Sequence, residues 1–105
     1  MNLKGYVRVG DPVPVSVQNM VVRDYCARHG HTYSLSDVEF VFGGTAMLDG
    51  IEWANFDGVC AYSMWQVPEM TPPAGKELHF ALEGYVLPRD AELVRTLRQI
   101  REAIK

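Results

Sequence analysis

The apolar pattern changes period several times along the chain, and each change marks a boundary. "GYVRVG" (5–10) is a β-branched run closed by glycine and predicts strand one. "DPVPV" (11–15) is extended, because each proline disfavours helix for the residue before it. From Ser16 onward Val17, Met20, Val21, Tyr25 and Cys26 fall at helical spacing. That spacing predicts a helix over about 17–29, with Ser16 as N-cap and Gly30 closing its C-terminus.

"HTYSLSDVEFVF" (31–42) returns to a strand pattern whose end the sequence leaves open until Gly43-Gly44 breaks it. Thr45 heads a short helical pattern through Met47, Leu48 and Ile51. "FDGVCAYSMW" (56–65) is a turn at Asp57-Gly58 followed by a nearly continuous apolar run, which suits a central parallel strand covered on both faces. "PEMTPPAGKE" is a loop with room for one hidden turn of helix, and "LHFALEGYVL" (78–87) predicts one further strand. Pro88 and Asp90 introduce a final helix over about 91–104, in which Leu93, Leu97, Ile100 and Ile104 form one apolar stripe. Strands alternating with helices predict an α/β domain spanning 1–105, a small three-layer unit around a mainly parallel four-stranded sheet.

Composition narrows the classes. An apolar share of 48% against 22% charged residues predicts a globular chain. A domain of 105 residues buries only about 60–70% of the surface its unfolded chain exposes. Oligomerisation would help it, and Met20, Met64, Trp65 and Met70 offer adaptable apolar surface, so a homodimer or larger homo-oligomer is expected. A net charge of −3 and a pI near 5.5 argue against nucleic-acid binding. No apolar run approaches the ~20 residues of a membrane helix, and "MNLKGYVRV" lacks a signal-peptide core. A cytoplasmic protein is expected, with Cys26 and Cys60 as buried free thiols in preference to a disulfide. No CxxC or HExxH spacing occurs, so neither metal nor other cofactor is expected.

Two family resemblances add to this reading. "YVRVG", the Ser16…Gln18 pair, "YCARHG", Gly43-Gly44 and "DGVCAYSMWQVP" resemble the catalytic domain of serine recombinases over roughly residues 5–66. The resemblance implies a resolvase-like fold with strand order 2-1-3-4. Arg8 matches an active-site arginine, but Gly10 occupies the position of the nucleophilic serine. The phosphate-binding arginine pair of that family falls near Gln66 and Glu69. The fold is therefore expected and DNA strand transfer is not. Nearly the whole chain is similar to the sporadic carbohydrate cluster proteins, through "PVSVQNMVVRDYC", Glu39 after "SLSD", "YSMWQVP" and "ELHFALE". That similarity implies a setting in sugar or related biosynthesis and fixes no reaction.

In open α/β sheets ligands bind beyond the carboxyl ends of the strands, where the strand order reverses. There the order implied by the resemblance gathers Arg8, Ser63, Gln66, Glu39 and Glu83, with Gln18 and Asn19 in the first turn of the first helix. Each has a plain structural reading as well. Gln18 and Asn19 are ordinary first-turn residues, and Arg23 with Asp24 is an ordinary exposed pair. Glu39, between Val38 and Phe40, is either exposed on a strand face or buried with a partner. His79 is a hydrogen-bonded structural histidine or a base. Two carboxylates, an arginine and amides suit acid–base chemistry on a hydroxylated small molecule. The expected function is a cofactor-independent isomerase or lyase acting on a sugar-derived metabolite. Glu39 would be the base, Glu83 or His79 its acid partner, and Arg8, Gln18, Asn19, Arg23, Ser63 and Gln66 would contact substrate. The alternative is a catalytically inactive accessory module that binds a partner protein in the same pathway.

Overall fold

The structure, a computed structural model, describes residues 1–40, 53–67 and 70–104, with 35–40 as backbone alone. The "GG" at 43–44 and the short helix expected from Thr45 lie outside the described residues. Strand β1 (Asn2–Val9) holds Leu3 and Val7 fully buried toward one face of the sheet and Tyr6 fully buried toward the other. Helix α1 (Val15–Arg28) returns the chain to β2 (Thr32–Phe40), which lies parallel to β1. Lys4 faces Ser34 but Tyr6 faces Asp37, so β2 carries one extra residue, a bulge, between them. β3 (Gly58–Ala61) pairs parallel with the other edge of β1, and β4 (Glu77–Phe80) pairs parallel with β3. β5 (Tyr85–Leu87) folds back antiparallel on β4, and helix α2 (Ala91–Ala103) follows. The sheet order is β2-β1-β3-β4-β5.

Two cores follow from strand alternation. Val59, Ala61, Leu78 and Phe80 point to the side where Met64, Leu87 and Val94 of α2 pack. Cys60 and Ala81 belong to the other cluster, with Leu3, Val7 and the α1 stripe Val22, Tyr25 and Cys26. Cys26 and Cys60 are both free and buried there. Gly58 sits where β3 and β4 come closest: a Cβ at this position would run into the backbone carbonyl of Glu77.

Several expectations need correction. The sheet has five strands, not four, because "LHFALEGYVL" is a hairpin and not one strand. Its turn closes through the Gly84 N–H on the carbonyl of Phe80, 2.8 Å away. Ser16 is no N-cap. It lies exposed inside the first turn, while the Pro14 carbonyl itself accepts from the N–H groups of Val17 and Gln18, each at 3.0 Å. At the other end Gly30, at φ +71°, ends α1 as expected. Its N–H bonds to Ala27 and that of His31 to Cys26, the paired bonds of a Schellman motif. No helical turn occurs among the described residues 70–76. Met64, expected on the surface, is wholly buried. Finally, the α2 stripe is only partly covered: Leu97 packs half-buried against the core, but Leu93 is 44% exposed, Ile100 53% and Ile104 78%, and Val94 is the only fully buried residue of the helix. No helix of the described residues is long and apolar enough to cross a membrane.

Candidate functional site

β1, β3 and β4 run the same way, so the residues that follow them share one end of the sheet. β1 connects to β2 on one side, and the chain then crosses to β3 on the other, so the order reverses between β1 and β3. Gln18 lies directly behind this reversal, fully buried. Its Oε1 accepts from the Arg8 N–H at 3.0 Å, and its Nε2 donates to the carbonyls of Arg8 (2.9 Å) and Val13 (2.7 Å). One side chain thus substitutes for backbone pairing across the β1–α1 turn, where prolines deny the chain any regular ladder.

Gln66 meets it from the exit of β3. A short 3-10 turn, Met64–Gln66, sets the Gln66 side chain inward at 5% exposure. Its Nε2 donates to Gln18 Oε1 at 3.0 Å and to Asp11 Oδ2 at 3.1 Å. Its carbonyl accepts from the Arg8 guanidinium at 3.4 Å. The other half of its amide differs: Gln66 Oε1 is buried and has no hydrogen-bond partner among the described residues. Asp11 also accepts from the Val13 N–H at 3.1 Å. Arg8, Asp11, Gln18 and Gln66 therefore form one connected rim between β1 and β3.

Ser63 and Glu83 sit at the same end but serve the backbone. Ser63 Oγ donates to Glu83 Oε2 at 2.7 Å, and the Met64 N–H donates to Glu83 Oε1 at 2.9 Å. Ser63 Oγ also accepts from the Trp65 N–H and so caps the 3-10 turn. Both oxygens of Glu83 are engaged in holding that turn. Asn19 and Arg23 gather elsewhere, around Tyr33 of β2. The Tyr33 hydroxyl donates to Asn19 Oδ1, and the Arg23 guanidinium lies 5.8 Å from the Tyr33 ring centre. The Glu39 backbone pairs with Arg8 at the rim, while its side chain lies outside the described residues.

His79 lies in a separate cluster. It is the third of the four residues of β4, on the α1 side, 3% exposed. Tyr25 near the end of α1 approaches His79 Nδ1 at 2.6 Å, and His79 Nε2 is 2.9 Å from Glu77 Oε1. Burial pushes the Tyr25 phenol up to about 12. The Glu77 carboxylate accepts from Nε2–H, which leaves Nδ1 of the neutral ring as the acceptor of the Tyr25 hydroxyl. Burial holds His79 below the usual imidazole range, with Glu77 pulling the other way. The His31 ring meets His79 edge-on at 5.1 Å and stacks with His29 at 6.2 Å, so all three histidines of the chain cluster here. No group of metal-ligating side chains able to hold an ion occurs among the described residues.

The structure thus joins Arg8, Gln18 and Gln66, places Ser63 and Glu83 nearby as a backbone brace, and sets His79 in a separate cluster with Tyr25 and Glu77. The sequence reading missed Asp11, Tyr25, Glu77 and His31. Asp11 had a signal in its position beside Gly10 at the end of β1. Tyr25 and His79 are 54 residues apart, and no local spacing ties them. No family model, curated protein or solved structure matches the chain.

Proposed function

We propose that this chain binds a hydroxylated small molecule of the sugar-derived kind in the crevice between the carboxyl ends of β1 and β3, and acts on it by proton transfer. The supporting observation is the Gln66 amide. A buried carbonyl oxygen without a donor costs about 1–3 kcal/mol. It stands beside Arg8 and Asp11 at the reversal of strand order, where α/β sheets take ligands. A ligand hydroxyl would supply the missing donor, and Arg8 adds positive charge for an anionic substituent. Glu39, paired with Arg8 through the backbone, is assigned the proton transfer. Glu83 and His79 are not assigned chemistry, because their polar atoms already brace the backbone and the Tyr25–Glu77 relay. A three-layer, resolvase-like architecture belongs to this reading, supported by the order β2-β1-β3-β4 and by the two cores flanking the sheet.

The test is a nitrogen-15 NMR titration of the whole chain with neutral sugars, sugar phosphates and nucleotide sugars. The Gln66 side-chain amide should shift with one of these classes and not with the others, Arg8→Met should abolish that shift, and Gln66→Met should abolish the accompanying backbone shifts of Arg8 and Asp11. Perturbations confined to the histidine cluster, or no shift at all, overturn the assignment.

The accessory-module reading has one observation in its favour. Gln18, Ser63 and Glu83 are all consumed by structural bonds. Glu39→Gln separates the two readings once a ligand is found. An enzyme should lose about 10²–10⁴-fold in turnover with binding retained. A binding module has no turnover to lose.

A further inference from the structure

The last helix carries an apolar stripe that its own domain uses only in part, through Leu97. Leu93, Leu97, Ile100 and Ile104 are spaced four, three and four residues apart. That is the a/d spacing of a helix seam built to meet a second helix. The helix contacts its sheet through Val94, one position off the seam, with Ala91 and Leu97 packed half-buried beside it, and leaves Leu93, Ile100 and Ile104 at 44, 53 and 78% exposure. Large aliphatic side chains at this spacing and exposure form a contiguous patch, unlike the scattered apolar residues of an ordinary surface. Beside the seam Trp65 is 42% exposed, with the Arg101 guanidinium 4.3 Å above its ring. That stacking draws the nearest charge off the seam and onto the indole.

We infer that this face of α2 pairs with the same face of a second copy of the chain, the two helices lying antiparallel about a two-fold axis. The sequence is self-complementary in that arrangement. An alignment centred between Arg98 and Gln99 sets Leu93 against Ile104 of the second copy and Leu97 against Ile100 of the second copy. The flanks then match as well. Thr96 lies beside Ala103 of the second copy, and Arg101 faces the flank where Val94 of the second copy is already buried under its own sheet, so no like charges meet. Arg95 and Glu102 fall on the far side of the helix from the seam. Antiparallel pairing also opposes the two helix dipoles favourably. A 13-residue helix is about 20 Å long, and with Trp65 on its flank it gives the apolar core and polar rim of a small symmetric interface. The rim residues Arg8, Asp11 and Gln66 contribute nothing to the seam, so assembly and ligand binding are separate properties.

Sedimentation velocity on the whole chain across a micromolar concentration series tests the pairing. A reversible monomer–dimer equilibrium is expected. Leu93→Glu and Ile100→Glu should each weaken it more than ~100-fold, because each substitution enters the interface twice. Both sites are exposed, so both variants should keep the wild-type circular dichroism and the melting temperature of the wild type diluted to monomer. Direction is read by cross-linking: a mixture of Leu93→Cys and Ile104→Cys chains should form a disulfide-linked pair, and Leu93→Cys alone should not. A chain that stays monomeric throughout the series, a dimer indifferent to Ile100→Glu, or efficient cross-linking of Leu93→Cys to itself would each overturn the inference.

Discussion

The Gln66 amide nitrogen lies 3.0 Å from the amide oxygen of Gln18, and through this pair the turn after β1 is tied to the exit of β3. The two glutamines are not equivalent. Gln18 has both polar atoms fully engaged, and removing them strands the Arg8 N–H, the carbonyls of Arg8 and Val13, and the Gln66 amide. Gln18→Leu should therefore cost about 3–5 kcal/mol. Gln66→Leu strands less. Asp11 is half-buried and can turn to water, Gln18 Oε1 keeps its bond to Arg8, and one unpaired oxygen disappears. Its cost should be about 1 kcal/mol. Urea denaturation of the two variants checks the order. Equal losses would mean that Gln66 is as structural as Gln18.

The buried relay makes stability depend on pH. His79 is held below its unfolded value by burial. Over the range between its folded and unfolded pKa values the unfolded chain binds more protons than the native one, so unfolding is favoured by acid. The stability is present above the unfolded value near 6.5 and is lost as pH falls below it. His31 is shifted the same way, mainly by burial and by the nearby N-terminal charge. Melting temperature should fall from pH 7 to pH 5, and His79→Asn should flatten that slope while lowering stability at pH 7. Tyr25→Phe leaves His79 Nδ1 buried without its donor and should cost about 1–3 kcal/mol at neutral pH. Proton NMR of the histidine Cε1 resonances gives the titration directly.

The strands that read clearly in the sequence are those buried on both faces. Val59, Cys60 and Ala61 have no exposed side, and their run is apolar for that reason. The β4–β5 hairpin hid because Leu82 and Tyr85 flank a turn without proline, so its apolar run continues through a reversal that only Glu83-Gly84 betrays. The stripe on α2 was legible as periodicity but not as exposure, since a 3.5-residue seam and a core-facing stripe look alike until the sheet's position is known. Arg8, Gln18 and Gln66 were legible because strand ends and helix starts converge by topology alone. The roles of Ser63 and Glu83 were not, because a side chain bracing a backbone turn and one awaiting a substrate have the same sequence.

That ambiguity has its own experiment. Glu83 accepts from the Ser63 hydroxyl with one oxygen and the Met64 N–H with the other. Glu83→Gln keeps one acceptor and replaces the second with a donor, facing another donor. It should cost about 1–2 kcal/mol in urea denaturation, and Ser63→Ala should lose a comparable amount. The double variant should cost less than the sum, since both changes break the same bond. A residue held for catalysis would show the reverse: little loss of stability on Glu83→Gln and additive behaviour with Ser63→Ala.

Gly58 offers the sharpest check on the register of the sheet. It begins β3, faces Leu3 on one side and Glu77 on the other, and has no room for a Cβ against the Glu77 backbone carbonyl. Backbone cannot swing aside as a flexible side chain does. An alanine here must push β4 away from β3, and β4 carries Leu78 and Phe80 of one core together with His79 of the relay. Gly58→Ala should therefore cost about 2 kcal/mol or more, although alanine normally favours a strand over glycine. The damage should be directional. Amide resonances of Glu77–Phe80 and the His79 ring should move, while those of Gln18 and Gln66, which hang from the opposite end of the sheet, should hold their positions. Gly58→Ala that folds with unchanged stability and unshifted β4 resonances would mean that β3 and β4 are not paired in this register.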